Sequence, residues 1–272
     1  MMNVSDRTVV VTGSSRGIGA EIAREFAAAG SRVVVSARSQ DAIEALAHEI
    51  GGVAIPFDAN DPDDVRTYIQ RVENEVGGID IFINNAGVEK STLVEDLTEE
   101  EIEGTLRINL ITPQVLTASL LPRMLERGRG HLVYTSSIAA TTGNPAMAVY
   151  SSSKGGLTRF AESLRMELRY TPLNVTILHL GPVDTEMWDD IEDNPLMKPG
   201  VDRFTKLGLL TVADPTKVAK STLRAVQKNK REVRLPRRMA VNAALNGLST
   251  KLFETFQVGI DVRKDGGKAA FQ

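Results

Sequence analysis

Cysteine is absent from the 272 residues, which excludes disulfides, thiolate metal ligands and a cysteine nucleophile. Histidine is scarce. His48, His131 and His179 show no metal-ligand spacing and no accompanying carboxylate pattern, so no metal is expected. Nor does one sign of charge dominate: 32 basic against 35 acidic residues leave a formal net charge of -3, with no global field suited to nucleic acid. No apolar run approaches the roughly 18 residues that a membrane helix needs. The opening MMNVSDRTVVVTGSS lacks the basic region, apolar core and cleavage site of a secretory leader, and a cytoplasmic protein is expected. Repeats at solenoid spacing, low-complexity tracts and Pro/Gly-rich linkers are missing too, so nothing marks a domain junction.

What is present is the balance of a globular protein, with 42% hydrophobic and 25% charged residues. The length suits one α/β core, since single cores stop growing near ~250–300 residues, and residues 1–272 are read as a single domain. Short β-branched runs at Arg7–Thr12, Arg32–Ser36, Val53–Phe57, Asp80–Ile83, His131–Ser136, Asn174–Leu180 and Glu232–Leu235 alternate with helical patterns. Seven strands in that alternation predict an α/β fold, a doubly wound parallel sheet with helices on both faces. Asp61-Pro62 and Asp214-Pro215 mark helix starts, and Thr98 with Glu101 makes a capping box. The helix from Thr98 to about Arg127 carries Pro113 and Pro122 and is expected to kink or end near each. Residues 186–210 break the alternation and are expected to form an irregular lid or insertion.

Thr12-Gly13-Ser14-Ser15-Arg16-Gly17-Ile18-Gly19 follows a strand and opens a helix. In that context the first glycine permits a tight turn, and the later ones let the backbone approach a pyrophosphate at the helix N-terminus, as in a Rossmann-type dinucleotide site. Sites that bind NAD usually carry an acid near the end of the second strand, about 20 residues past the glycines, to hold the ribose 2′-hydroxyl. Here the segment reads Val35-Ser36-Ala37-Arg38. With no carboxylate there to repel a 2′-phosphate, Arg38 able to grip one and Arg16 adding a second cation, NADP(H) is expected over NAD(H). Each arginine taken alone is equally well a solvated surface charge.

Tyr150-Ser151-Ser152-Ser153-Lys154 lies in a helical pattern whose spacing puts phenol and ammonium on one face. A free tyrosine titrates near ~10, and a cation held close stabilises phenolate, so Tyr150 is expected to have a lowered pKa and to exchange a proton with a substrate oxygen. By itself, such a pair is a common coincidence on helices. Ser136-Ser137 closes the fifth strand, where open α/β sheets place ligands. Taken in order, TGSSRGIG, Asn84-Asn85-Ala86-Gly87, a serine thirteen residues before the tyrosine and YSSSK resemble the motifs of the short-chain dehydrogenase/reductase family over residues 7–185.

The resemblance implies an oxidoreductase that moves hydride between a nicotinamide and a carbonyl or alcohol carbon. It implies roles as well: Asn109 in a water-linked proton relay, Ser137 positioning the carbonyl, Tyr150 as acid/base, and Lys154 binding the nicotinamide ribose and lowering the tyrosine pKa. Beside Gly13 through Gly19 and Arg38, the implied cofactor contacts are Asp58 at the adenine, Ala59, Asn85, Ala86 and Gly87 under the dinucleotide, and Gly181, Val183 and Thr185 around the carboxamide. Leu180 stands where the family commonly has proline, and Thr185 is alternatively an ordinary helix cap.

Met187, Trp188, Leu196, Met197, Phe204, Leu207, Leu209 and Leu210 gather apolar surface in the 186–210 stretch. That suits an apolar ketone, aldehyde or lipid-like substrate, or simply the packing of the lid itself. Glu89 and Lys90 either edge the pocket or stand as a charge pair in solvent. Val241, Leu245, Leu248, Leu252 and Phe256 form a stripe on a predicted helix over residues 237–258, to be covered by its own domain, a second subunit or a membrane surface. Self-packing or dimerisation is preferred over a membrane, because Glu254 interrupts the basic character. A homodimer or homotetramer acting on a small molecule is expected. The rival reading is a cofactor-binding sensor or scaffold of the same fold, against which the combination of Ser137, Tyr150 and Lys154 argues.

Overall fold

The computed structural model describes residues 2–236. Its strands are β1 (Thr8–Thr12), β2 (Arg32–Ser36), β3 (Val53–Ala54), β4 (Ile81–Asn84), β5 (Gly130–Ser137), β6 (Leu173–Leu180) and β7 (Glu232–Leu235). The helices are α1 (Gly17–Ala28), α2 (Gln40–Ile50), α3 (Pro62–Val76), α4 (Glu99–Leu106), α5 (Thr112–Arg127), α6 (Ala148–Glu167), α7 (Glu186–Asp193), α8 (Lys198–Lys206) and α9 (Pro215–Gln227). The strands form one parallel sheet in the order β3-β2-β1-β4-β5-β6-β7. Strand order therefore reverses between β1 and β4, and the crevice beyond their carboxyl ends is the place where this architecture receives ligands.

Strand alternation explains why both faces are covered. Val9 and Val11 of β1 join Val33, Val35, Ile81 and Ile83 in a core under α1, α2 and α9, while Val10, Val34 and Phe82 point to the opposite core under α3, α5 and α6. Six of the expected strands fall within one residue of their predicted ends, and β3 is shorter. Pro56 has no N–H for the ladder, although the flanking Ile55 and Phe57 amides still reach the Val35 and Ala37 carbonyls at 3.0 and 3.1 Å.

Two expectations about helices need correction. The stretch from Thr98 to Arg127 does not end at either proline, although its regular pitch gives way just before the first: α4 runs through a π turn at Arg107–Ile111 into α5, and Pro122 lies inside α5. Pro113 cannot donate to the Asn109 carbonyl four residues back, and the wider π turn takes up that mismatch. Residues 186–210 are not irregular but fold into α7 and α8, each with a marked apolar face, joined by a short turn. The capping box at Thr98 and the aspartate caps at Asp61 and Asp214 form as expected. The predicted helix at 237–258 lies outside the described residues. Among the described residues no helix is long and apolar enough to cross a membrane.

A buried seam fixes where β2 delivers the chain. Ser14 accepts the Ser36 amide at 2.7 Å, and the Tyr68 hydroxyl, from α3, donates to Ser36 Oγ at 2.6 Å with its ring against Phe57. Burial pushes the Tyr68 phenol well above the ordinary tyrosine range, so it serves as a neutral donor. Tyr68→Phe keeps the ring and removes this bond. A loss of about 1 kcal/mol is expected in urea unfolding, and an unchanged midpoint would show that the bond contributes nothing.

Candidate active site

A cavity of about 1260 Å³ opens beyond the carboxyl ends of the strands. Drug-sized ligands occupy roughly 300–1,000 Å³, so this one has room for a large ligand and a second, smaller one. Its lining includes Gly13, Ser15, Arg16, Gly17, Ile18 and Gly19 from the first turn, and Arg38, Asp58 and Ala59 from the ends of the next two strands. Asn85, Ala86, Gly87, Ser137, Tyr150, Lys154, Gly181, Val183 and Thr185 complete the set brought together there.

Two residues expected in the site stand behind its wall. Ser14 is fully buried and spends its hydroxyl on Ser36. Asn109, also fully buried, brackets Val88 with both ends of its amide, at 2.9 Å from the Val88 N–H and 2.8 Å from its carbonyl, and donates to Ser153 Oγ at 3.1 Å.

The glycine turn is shaped by how closely β1 approaches the Asn84–Gly87 segment. The Asn85 amide donates to the Thr12 and Gly13 carbonyls, both at 3.2 Å, while Thr12 Oγ1 accepts the Asn85 and Ala86 N–H groups. A Cβ at Gly19 would lie 2.2 Å from the Gly13 carbonyl oxygen and 2.6 Å from Asn85 Nδ2, so only glycine fits. Gly13, at φ +65°, needs the left-handed conformation as well. The N-cap of α1, Arg16, makes no side-chain capping bond, which leaves the first N–H groups of the helix facing the cavity as an anion cradle.

On the opposite wall, α6 presents Tyr150 and Lys154 toward β5. Lys154 is buried, donates to the Thr135 carbonyl at 3.0 Å, and holds its ammonium 5.7 Å from the centre of the Tyr150 ring. Burial lowers the Lys154 pKa to about 8. The expected lowering of Tyr150 does not occur in this state. Burial lifts the phenol to about 12, which the neighbouring Ser137 hydroxyl opposes and the Glu89 carboxylate reinforces. Lys154 spends its ammonium on the Thr135 carbonyl rather than on the phenol oxygen. Ser137, at the end of β5, donates to the Leu180 carbonyl at 3.2 Å and accepts the Ala139 N–H at 3.1 Å. Ser136 is engaged by Thr158 at 2.6 Å and by the Lys154 carbonyl.

A family model described as short chain dehydrogenase matches residues 7–196. The chain belongs to that family. Ketoacyl reductase HetN of Nostoc sp. (strain PCC 7120 / SAG 25.82 / UTEX 2576) is 33% identical over 239 residues, 86% of this chain and 79% of that protein. A metagenomic short-chain oxidoreductase solved in complex with NADP superposes with a TM-score of 0.70 at 28% identity, over 86% of this chain and 98% of that one. A short chain dehydrogenase/reductase from Burkholderia phymatum, solved in complex with NAD, reaches a TM-score of 0.81 at 19% identity, over 93% and 97% of the two chains, and speaks for the fold alone. This short-chain dehydrogenase is accordingly an NAD(P)-dependent oxidoreductase.

Much of the rest of the dehydrogenase's cavity wall is apolar. Met187, Trp188, Leu196, Met197, Phe204 and Leu210 line it, whereas Leu207 faces solvent and Leu209 lies outside the lining. Thr185 occupies the N-cap position of α7 without capping it, and its hydroxyl donates to the Val183 carbonyl at 3.1 Å. Val183 is pinned in turn by a bridge to Ala213. Leu180, standing where proline is common, closes β6 in register with Leu235. Glu89 and Lys90 do not pair with each other. Lys90 goes to Glu101, and Glu89, half-buried, accepts from Ser91 at 2.8 Å with its pKa raised by burial first and by Asp190 after that.

His131 and His179 are buried, and burial brings the His131 pKa down to about 3 and lowers that of His179. Three features escaped the sequence reading. Thr135 works through its backbone carbonyl, which leaves no residue signal, and Ser153 is hidden within the tyrosine motif. Asn144-Pro145, which lines the cavity before α6, could have been noticed as a turn signal.

Lys154→Met removes an ammonium held in a buried place. Because burial lowers the lysine pKa from 10.5 to about 8, the protonated form costs stability below pH 8, and the cost fades as pH rises from 8 toward 10.5. The cofactor-free variant is expected to be about 1–3 kcal/mol more stable than wild type at pH 7, with the gain shrinking by pH 10. Denaturant unfolding at the two pH values checks both the sign and the trend.

Proposed function

We propose that this dehydrogenase is an NADP(H)-preferring reductase of a small apolar carbonyl compound. The observation that carries the reading is the meeting of Ser137, Tyr150 and Lys154 in one cavity whose other walls are the glycine turn and an apolar lid. The residues fit a dinucleotide: the uncapped start of α1 suits a pyrophosphate, and Arg38 with Arg16 suits a 2′-phosphate, there being no carboxylate at Ser36 or Ala37. Asp58 and Ala59 would hold the adenine end, with Asn85 through Gly87 beneath and Gly181, Val183 and Thr185 at the nicotinamide end. When bound, the dinucleotide supplies or accepts the hydride.

The chain's own part is the proton. A phenol with its pKa raised to about 12 is protonated at neutral pH, so Tyr150 acts as the acid that donates to a carbonyl oxygen. Ser137's hydroxyl rotates from the Leu180 carbonyl to donate to the same oxygen and fixes its place. Lys154 holds the ribose and keeps a positive charge beside the tyrosine as its proton leaves. With its side chain committed to Val88 and Ser153, Asn109 can join a water-linked relay through its backbone carbonyl, to which Pro113 gives no N–H. The 186–210 segment works as the substrate lid, its methionines adapting to apolar ligands of differing shape.

Dissociation constants for NADPH and NADH, together with turnover on a panel of apolar ketones and aldehydes, test this reading. NADPH is expected to bind more tightly, and Tyr150→Phe to lose at least about 100-fold in turnover while still binding NADPH. Tight NADPH binding with no turnover by the wild type on any substrate would favour a cofactor sensor. Equal affinities would remove the NADP(H) preference.

A further inference from the structure

One charged group at the cavity wall takes no part in that scheme. Glu186, the first residue of α7, forms an ion pair with Arg16, the N-cap of α1 in the glycine turn, and both line the cavity. The residues beside them come close as well: a Cβ at Gly17 would lie 3.2 Å from the side-chain methyl of Thr185. The pair thus bridges the dinucleotide wall and the lid at the point where the lid begins. A second direction is open to the same arginine. The Ser14 N–H donates to the Ser36 carbonyl at 3.2 Å and the Ser36 N–H to Ser14 Oγ at 2.7 Å, so Arg16 and Arg38, each two residues further on, leave from adjoining stretches of backbone. A guanidinium turned toward one carboxylate cannot at the same time turn to grip a phosphate elsewhere.

We infer that Glu186 is a cofactor-specificity residue that competes with the 2′-phosphate of NADP(H) for Arg16. With NAD(H), or with no dinucleotide, the pair holds the start of α7 to the glycine turn; with NADP(H), Arg16 turns toward the phosphate and the start of the lid is released. This rests on the NADP(H) reading above. Glu186 keeps its place in either state, because the N-terminus of a helix favours a negative charge. The size of the effect follows from exposure. The two side chains are 69% and 63% exposed, and exposed pairs of this kind shift an equilibrium by about two- to fivefold.

The test measures NADPH and NADH dissociation constants for wild type, Glu186→Gln, Arg16→Gln and Arg38→Gln, and amide hydrogen exchange across residues 186–193. Glu186→Gln is expected to bind NADPH about two- to fivefold more tightly than wild type, with its NADH affinity unchanged. In wild type, α7 should exchange faster with NADPH bound than with NADH bound, and cofactor-free Glu186→Gln should already show the faster exchange. A ratio of NADPH to NADH affinity in Glu186→Gln equal to that of wild type overturns the inference. If Arg38→Gln weakens NADPH and Arg16→Gln does not, the cofactor preference stands and the competition fails. If neither weakens it, the preference is lost and the competition with it.

Discussion

The end of β1 is drawn against the end of β4 by the side chains of Asn85 and Thr12, and the cavity takes its shape from that closure. Thr12 Oγ1 donates to the Ile83 carbonyl at 3.3 Å and receives two N–H groups from the next turn, while the Asn85 amide reaches back to the Thr12 and Gly13 carbonyls. These bonds satisfy backbone groups that the sheet has ceased to pair at the point where its order reverses. They also crowd the turn so far that Gly13 and Gly19 admit no side chain, each for its own steric reason. The approach of a phosphate to bare backbone is thus a by-product of how two strand ends are tied together.

Across the cavity the physics is the reverse, since ionisable groups are kept where burial disfavours their charge. Lys154 is pressed toward neutrality and Tyr150 toward its protonated form. The Thr135 carbonyl holds the ammonium, and the Asn109 amide, by binding Val88 and Ser153, fixes the wall behind. A site of this kind sacrifices stability in the free protein so that the same groups are in position when a ligand brings compensating charge and hydrogen bonds.

Much of this was legible in the residues. The strands announced themselves because a parallel sheet covered on both faces needs continuous β-branched runs, and the runs at 32–36 and 232–235 end where β2 and β7 end. The glycine turn and the tyrosine helix could be read because each packs its chemistry within eight residues. Contacts made between distant segments could not. Nothing in the serine of Ser14 says that it turns to Ser36 instead of the cavity, and nothing in Glu186 says that it meets a residue 170 positions earlier. The direction of the Tyr150 shift is hidden from the sequence for a related reason. A cation four residues away on a helix is visible in the sequence, whereas the depth of the phenol and the carbonyl that occupies the ammonium are properties of the folded packing.

The π turn between α4 and α5 has a consequence of its own. A helix that carries one residue more than its regular pitch undergoes a phase shift, so the faces before and after the turn are set independently. Here α5 keeps Leu116, Leu120 and Met124 in the core, and Asn109 at the joint is fully buried. Losing a single residue from Arg107–Ile111 would leave only enough chain for an ordinary α-helical turn, and the wider turn that accommodates Pro113 would be gone. Length at this joint is therefore under a tighter constraint than the identity of most residues within it.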